Sequence, residues 1–295
     1  MDLRFRYFWP LFNKQMNIFS NVLNLNSKEF SKYNDFRIEI HSVFVKPRRF
    51  YSIYIRVQIK IRYLLRLIFK RRIVYIWYTG ELISPPKGYD LTLSFLPTSG
   101  NNIYWPLWAS YIDYSNDGTL SDRGTSIQME ALLKPRSLNT IGDRQWKACA
   151  FISNNVDWRF ELARNLQSLG LLDIYGSSVN KPVSSKRQIS SRYMFQLCFE
   201  NTVQDNYVTE KPIEAWFNGN IPIYTGSADY KYLNPMALID CHRIPIKEMS
   251  FFIENQIRDQ AAMLTKWQQP ILSHAYDYQI FLTFLKKAFS DRFEK

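Results

Sequence analysis

Cysteine is scarce: three residues in 295, with no CxxC pair. That argues against a disulfide framework or a zinc site. Cys149, Cys198 and Cys241 are odd in number and widely spaced, which fits a reducing compartment best. No uncharged apolar run is long enough to span a bilayer. The amino-terminal stretch is aromatic, but Arg4, Arg6, Pro10 and Lys14 interrupt it, so no signal-peptide core is expected. Histidine is limited to His41, His242 and His274, and no DxD occurs, so an obligatory metal is not indicated. Acidic residues are missing from Lys46 to Arg72, where ten Lys and Arg side chains fall without one Asp or Glu. Nearly all of the net charge of +12 therefore sits in one segment, and the rest of the chain is close to neutral. A general nucleic-acid binder more often spreads its cations over a face.

What is present is apolar and aromatic. Hydrophobic residues make up 46% of the chain and aromatic rings 16%, enough for two cores of ordinary size and too much for a disordered chain. Strands are expected near residues 4–9, 36–45, 73–78, 91–95, 148–152, 172–175, 193–199, 221–224 and 237–240. The run IVYIWY at 73–78 reads as a parallel strand buried on both faces. Helices are expected over 14–24, 56–70, 157–169, 210–218, 247–268 and 274–291. The 56–70 segment is ambiguous: its isoleucines alternate like a strand, but Arg62, Arg66 and Lys70 recur every four residues. Alternating strands and helices predict α/β units with parallel sheets. A polar stretch near 135–145 is the expected linker.

The segment Phe195–Gly226, FQLCFENTVQDNYVTEKPIEAWFNGNIPIYTG, is the most informative. Thr209 is placed to cap a helix starting at Glu210, and Pro212 falls in its first turn. Lys211 there opposes the helix dipole at a cost of roughly 0.3–1 kcal/mol. An anion bound at that helix end, such as a diphosphate beside the Tyr207 hydroxyl, would offset the cost. The plainer alternative is that Lys211 points into water.

The same segment closely resembles the donor motif of the α1,3/α1,4-fucosyltransferases, glycosyltransferase family 10. It matches at Phe195, Leu197, Phe199, Glu200, Asn201 and Thr202, then Tyr207 to Lys211, then Ile221, Pro222, Ile223, Tyr224 and Gly226. Other matches keep the family's order: Phe8-Trp9-Pro10 with Phe12-Asn13, Tyr78-Thr79-Gly80-Glu81, Phe151-Ile152-Ser153-Asn154, and Arg159. Tyr104-Trp105-Pro106-Leu107 departs from the family, which often carries an Arg there. The resemblance, of the bacterial type, implies two Rossmann-like domains facing across a cleft, the glycosyltransferase type B fold. It assigns 1–143 to the acceptor and 144–295 to GDP-fucose.

The resemblance also implies roles. Glu81, just past a strand end where ligands of open parallel sheets bind, is the general base; alone it reads more readily as an ordinary surface turn residue. Lys211 and Arg159 neutralise the leaving diphosphate. Without the family, Arg159 reads as a solvated helix residue. Tyr207 donates to a phosphate oxygen or packs in a core. Glu210 contacts donor hydroxyls or is a plain first-turn Glu, and Asn201 shapes a loop or touches the donor. The implied reaction is a single inverting displacement from GDP-β-L-fucose to a glycan hydroxyl, α1,3 first, with no obligatory cofactor. The implied acceptor contains N-acetylglucosamine, on a bacterial surface polysaccharide. The implied location is cytoplasmic. Residues 46–72 are either a solvated helix face or a peripheral contact with an anionic membrane at its inner face. Another donor or linkage, and a non-catalytic polyanion or membrane binder, remain the alternatives. Nucleic acid is not an expected partner.

Overall fold

The structure is a computed structural model, and it describes residues 2–6, 19, 28–33, 36–42, 57, 60, 61, 64, 73–85, 87–113, 127–153, 157–227 and 231–293. The chain packs as two compact units. The first is Met1–Ser126 with Tyr276–Lys295, and the second is Ile127–Ala275.

The first unit is built on a five-stranded sheet in the order β1-β2-β3-β4-β5. Its strands are β1 (Asp2–Arg6), β2 (Arg37–Ser42), β3 (Ile73–Tyr78), β4 (Leu91–Ser94) and β5 (Asn102–Tyr104), each paired in parallel with its neighbour. β3 is central, and all six of its residues are buried, as its unbroken apolar run requires. β5 was not expected, because it is short and begins with a polar residue. Asn102 explains it. Its Oδ1 accepts from the hydroxyls of Thr92 and Ser94 at 2.7 Å each, and its Nδ2 donates to the carbonyls of Leu96 and Pro97. A buried amide with every partner supplied costs little and pins the strand edge. A short β6 (Ile112–Asp113) closes this stretch.

The helix Gln279–Phe293 returns to the first unit. Phe281 packs edge-on against Phe19 and Trp105, Phe289 stacks on Tyr33 at 4.4 Å, and the Tyr276 hydroxyl donates to the Tyr104 carbonyl. The packing division therefore differs from a single boundary at 143/144. It falls at Ser126/Ile127, and the tail helix sits with the first sheet because aromatic contacts hold it there. Tyr104 and Trp105, where the family pattern is broken, are both buried, and the Trp105 ring lies in this cluster.

The second unit begins with β7 (Ile127–Gln128). Its sheet has the order β12-β11-β10-β8-β9, from β8 (Gln145–Phe151), β9 (Leu172–Tyr175), β10 (Tyr193–Phe199), β11 (Ile221–Thr225) and β12 (Ile239–Asp240), again parallel throughout. The chain runs from β8 outward to β9, then crosses back to β10 and proceeds the other way. The strand order thus reverses between β8 and β10, where open α/β sheets bind ligands beyond their carboxyl ends. Leu162 and Leu166 from the helix Asp157–Ser168, Ile253 and Ile257 from Ile246–Arg258, and Trp267 from Gln260–Gln268 cover Ala148, Ile174, Phe195 and Ile223. The expected single helix over 247–268 is two, because Asp259 leaves helical geometry (ψ 84°) and its carboxylate caps the second helix at the Ala262 N–H. The three cysteines are buried free thiols. Among the described residues no helix is long and apolar enough to cross a membrane.

Arg136 locks the second unit's entry loop. Its guanidinium lies over the Trp267 ring at 3.9 Å and the Trp216 ring at 4.6 Å, and donates to the carbonyls of Trp267, Trp216 and Asn220. Burial, and then Arg144 nearby, lower its pKa to about 9, still charged at neutral pH. Arg136→Ala removes three charge-assisted bonds, and of the three carbonyls that of Trp216 keeps the Gly219 N–H. The substitution should destabilise the protein by about 2–4 kcal/mol in urea unfolding at pH 7, with little change in secondary structure by circular dichroism.

Candidate functional site

The site grows out of the carboxyl end of β10. Its last residue, Phe199, is followed by Glu200, whose N–H still pairs with the Thr225 carbonyl of β11. Glu200 is 0% exposed. A carboxylate so placed needs fixed donors in place of water. Thr209 supplies its backbone N–H at 2.8 Å, and its hydroxyl lies 2.8 Å from Oε2. The Lys211 ammonium donates to Oε2 at 2.7 Å and to the Thr209 hydroxyl at 3.0 Å. Burial pushes the Glu200 carboxyl above the usual carboxylate range, while the charge of Lys211 opposes that rise. For Lys211 burial pulls downward, but Glu200 and Glu210 outweigh it and hold the ammonium above its ordinary value.

Gly226 makes room for this arrangement. A Cβ there would sit 2.3 Å from the Tyr224 hydroxyl and 2.7 Å from Glu200 Cγ, so no larger residue fits without displacing them. The Gly226 carbonyl lies 2.9 Å from His242 Nδ1, which anchors the turn. The intervening loop is tied down at Asn206, in the left-handed region at φ 63°, whose N–H donates to the Ser227 hydroxyl.

Arg159, in the first turn of the helix after β8, reaches the same corner. It donates to Asn201 Oδ1 at 2.9 Å and to the Phe199 carbonyl at 3.4 Å, while its buried Nε has no hydrogen-bond partner among the described residues. Burial lowers its pKa, and Glu200 and Tyr207 pull it back up, so it feels both. Tyr207 is 3% exposed. Arg159, Asn201, Tyr207 and Lys211 are therefore brought together, with Glu210 beside them at the helix start. Glu81 lies in the first unit, exposed just beyond β3, in a turn where the Thr79 hydroxyl accepts from its N–H and donates to its carbonyl. Among the described residues no group of three or more His, Cys, Asp or Glu is arranged to hold a metal.

Two details depart from expectation. Thr209 does not cap the helix: Glu210 stands at that position without a side-chain cap bond, the helix is Lys211–Phe217, and the Thr209 hydroxyl goes to Glu200. The charge of Lys211 is likewise offset inside the protein by Glu200, so it does not by itself call for a bound anion. Glu200 and Thr209 are the site residues that sequence reasoning undervalued. The available signal was an acidic residue directly after a strand that is apolar except for Gln196.

Residues 141–277 match the sequence model of glycosyltransferase family 10 (fucosyltransferase) C-term. Nearly all of the second unit lies within that match. Its matched span contains Arg159, Asn201, Tyr207, Glu210 and Lys211. The chain is 48% identical over 195 residues to the α-(1,3)-fucosyltransferase FucT of Helicobacter pylori, covering 57% of this chain and 40% of that protein. It is 32% identical over 133 residues to a 4-galactosyl-N-acetylglucosaminide 3-α-L-fucosyltransferase of Pongo pygmaeus, covering 39% and 36%. The chain thus spans less than half the length of these relatives. A crystal structure of α1,3-fucosyltransferase with GDP-fucose shares the fold, with a TM-score of 0.65 at 20% identity over 98% of this chain and 90% of that one. The α/β architecture with two parallel sheets, expected from the sequence, is the one observed.

Two substitutions probe the pair. Gly226→Ala should cost about 1–3 kcal/mol in urea unfolding, because the added methyl must push Glu200 or Tyr224 aside. Lys211→Met leaves Glu200 buried without its cation, which should cost about 2–4 kcal/mol at pH 7, the lower end reflecting the 28% exposure of the Lys211 side chain. In that variant the Glu200 pKa rises further, so its carboxyl is protonated more readily when folded than when unfolded. The penalty should then shrink as pH falls from 7 to 5, and unfolding curves of both proteins across that range measure it.

Proposed function

We propose that the chain transfers L-fucose from GDP-β-L-fucose to a glycan hydroxyl with inversion, α1,3 being the linkage its relatives' names favour. The observation that carries this reading is the family match over residues 141–277, which includes every donor-side residue of the cluster at the β8/β10 switch point. Lys211 and Arg159 are the groups that meet the diphosphate, and the unpartnered Nε of Arg159 is one donor that a phosphate oxygen would satisfy. Tyr207 adds a hydroxyl, Asn201 accepts from Arg159 and holds it in place, and Glu210, at the start of the following helix, contacts the donor hydroxyls in this reading. Glu81 takes the proton from the acceptor oxygen as that oxygen attacks the anomeric carbon opposite GDP. Charge builds on the leaving diphosphate, and fixed cations stabilise it there without a covalent intermediate. Two cations at the diphosphate are the reason no metal is invoked. The relative from Pongo pygmaeus is named for a galactosyl-N-acetylglucosaminide acceptor, which supports an N-acetylglucosamine-containing acceptor here, with bacterial surface polysaccharide as its carrier.

GDP binding by calorimetry and fucose transfer from labelled GDP-fucose test the assignment, with GDP-mannose and UDP-sugars as competing donors. Glu81→Ala should bind GDP within about threefold of wild type yet lose about 10²–10⁴ in transfer rate, while Lys211→Ala should lose both. EDTA should leave transfer unchanged. Normal transfer by Glu81→Ala would remove Glu81 as the base, and preference for another donor would replace fucose.

A membrane contact is the second element of the proposal, at the inner face of the membrane of a cytoplasmic enzyme. Most of residues 46–72 lie outside the described residues, but Val57, Lys60, Ile61 and Leu64 are helical. Val57, Ile61 and Leu64 share one helix face by spacing and are 47%, 49% and 55% exposed. Apolar groups on a strongly basic helix suit an anionic lipid surface. Sedimentation with phosphatidylglycerol vesicles should pull down the protein at low salt, and phosphatidylcholine vesicles should not. Val57→Ser/Ile61→Ser/Leu64→Ser should reduce the bound fraction while leaving GDP affinity intact.

A further inference from the structure

We infer that Glu200 is a positioning residue that, through the Thr209 hydroxyl, aims the Lys211 ammonium at the donor diphosphate. This rests on the reading of Lys211 as a diphosphate ligand. An ammonium has three N–H donors. One is directed to Glu200 Oε2 at 2.7 Å and one to the Thr209 hydroxyl at 3.0 Å. With two held, the third direction is set. The burial gradient sets which side it faces: Glu200 is 0% exposed and the Lys211 side chain 28%. The clamp is therefore on the inner side and the remaining donor on the outer side.

The hydroxyl fixes the sense of the chain of bonds. Thr209 has a single O–H, and it must accept from Lys211, which has no acceptor capacity. Its proton therefore goes to the Glu200 carboxylate, at 3.0 Å from Oε1 and 2.8 Å from Oε2. The Thr209 N–H completes the hold at 2.8 Å. A flexible lysine thereby becomes a fixed point charge, and the ordering is done before any ligand arrives. Stability alone does not explain such a pair, because well-packed apolar residues of similar volume usually serve a fold as well as a buried ion pair.

The inference has a sign that simple electrostatics does not share. Glu200 is a negative charge next to the cation that meets an anion. On charge alone, Glu200→Gln would make the corner more positive and tighten GDP. Positioning predicts the reverse. A Gln amide offers one acceptor and one donor where the carboxylate offers two acceptors, so either Thr209 N–H or Lys211 loses its partner and Lys211 swings away.

The experiment is GDP titration calorimetry with donor KM and kcat on wild type, Glu200→Gln, Glu200→Asp, Lys211→Ala and the double variant Glu200→Gln/Lys211→Ala. Urea unfolding selects conditions in which each is folded. Glu200→Gln should weaken GDP by about tenfold or more, the scale of losing charge-assisted bonds, and Glu200→Asp should recover part of that. In the Lys211→Ala background Glu200→Gln should add less than about twofold, because Glu200 acts through Lys211. Thr209→Val, which keeps shape and both charges, should weaken GDP about three- to tenfold and keeps the test decisive if Glu200→Gln does not fold. Wild-type or tighter GDP affinity in Glu200→Gln, or in Thr209→Val when it alone folds, overturns the inference. So does a loss that multiplies fully with that of Lys211→Ala. If Lys211→Ala binds GDP like wild type, the reading of Lys211 itself fails, and the inference with it.

Discussion

A carboxylate with no access to water sits at the end of the middle strand of the second sheet, and its neighbourhood is arranged around satisfying it. Glu200 receives the Thr209 N–H, the Thr209 hydroxyl and the Lys211 ammonium. Each requirement constrains an identity. The position two before the lysine needs a hydroxyl that both accepts and donates. The position after β11 must lack a side chain, because Gly226 passes against Glu200 and the Tyr224 hydroxyl. The cation must be long enough to reach inward from the start of a helix. A spaced motif of Glu, Thr, Lys and Gly is thus one hydrogen-bonded object with parts drawn from three elements.

Topology explains why this object lies where chemistry is plausible. β8 and β10 are neighbours, but the chain leaves them toward opposite edges of the sheet. Open α/β sheets bind ligands beyond the strand ends where the order reverses in this way. Arg159 comes from the helix after β8, and Glu200 to Lys211 from the loop after β10, so two cations far apart in sequence meet over one corner. Asn201 links the halves by accepting from Arg159. The core beneath is apolar and mixes aliphatic side chains such as Ile174 and Ile223 with the rings of Phe195, Phe199 and Trp267. The first unit uses its side chains differently. Its rings pack in aromatic clusters, and the tail helix joins one through Phe281, beside Phe19 and Trp105, and another through Phe289, stacked on Tyr33.

The elements most legible in the sequence are those whose surroundings leave no choice. The unbroken apolar run of β3 appears at the expected bounds, because a strand covered on both faces tolerates nothing else, and the bounds of β9 and β10 also match although Asp173 and Gln196 interrupt them. The motif spacing likewise pointed to the segment Phe195–Gly226, whose Glu200, Thr209, Lys211 and Gly226 pack together. Legibility fails where a local pattern is overruled by a distant partner. β5 exists because Asn102 is satisfied by groups from β4 and its loop. A helix-forming stretch is cut in two by one carboxylate at Asp259.

The amino-acid order alone determined the α/β class, the parallel strands, the confinement of charge to one basic segment, and the likeness to family 10 fucosyltransferases, since periodicity and fixed motif spacing are properties of neighbours along the chain. Only the tertiary structure decided that Thr209 serves Glu200 instead of capping a helix, that Lys211 is neutralised from within, and that the last helix belongs with the first sheet. Those outcomes depend on which polar groups lose water together, and residues nine, eleven or more than a hundred positions apart become neighbours only once the chain is packed.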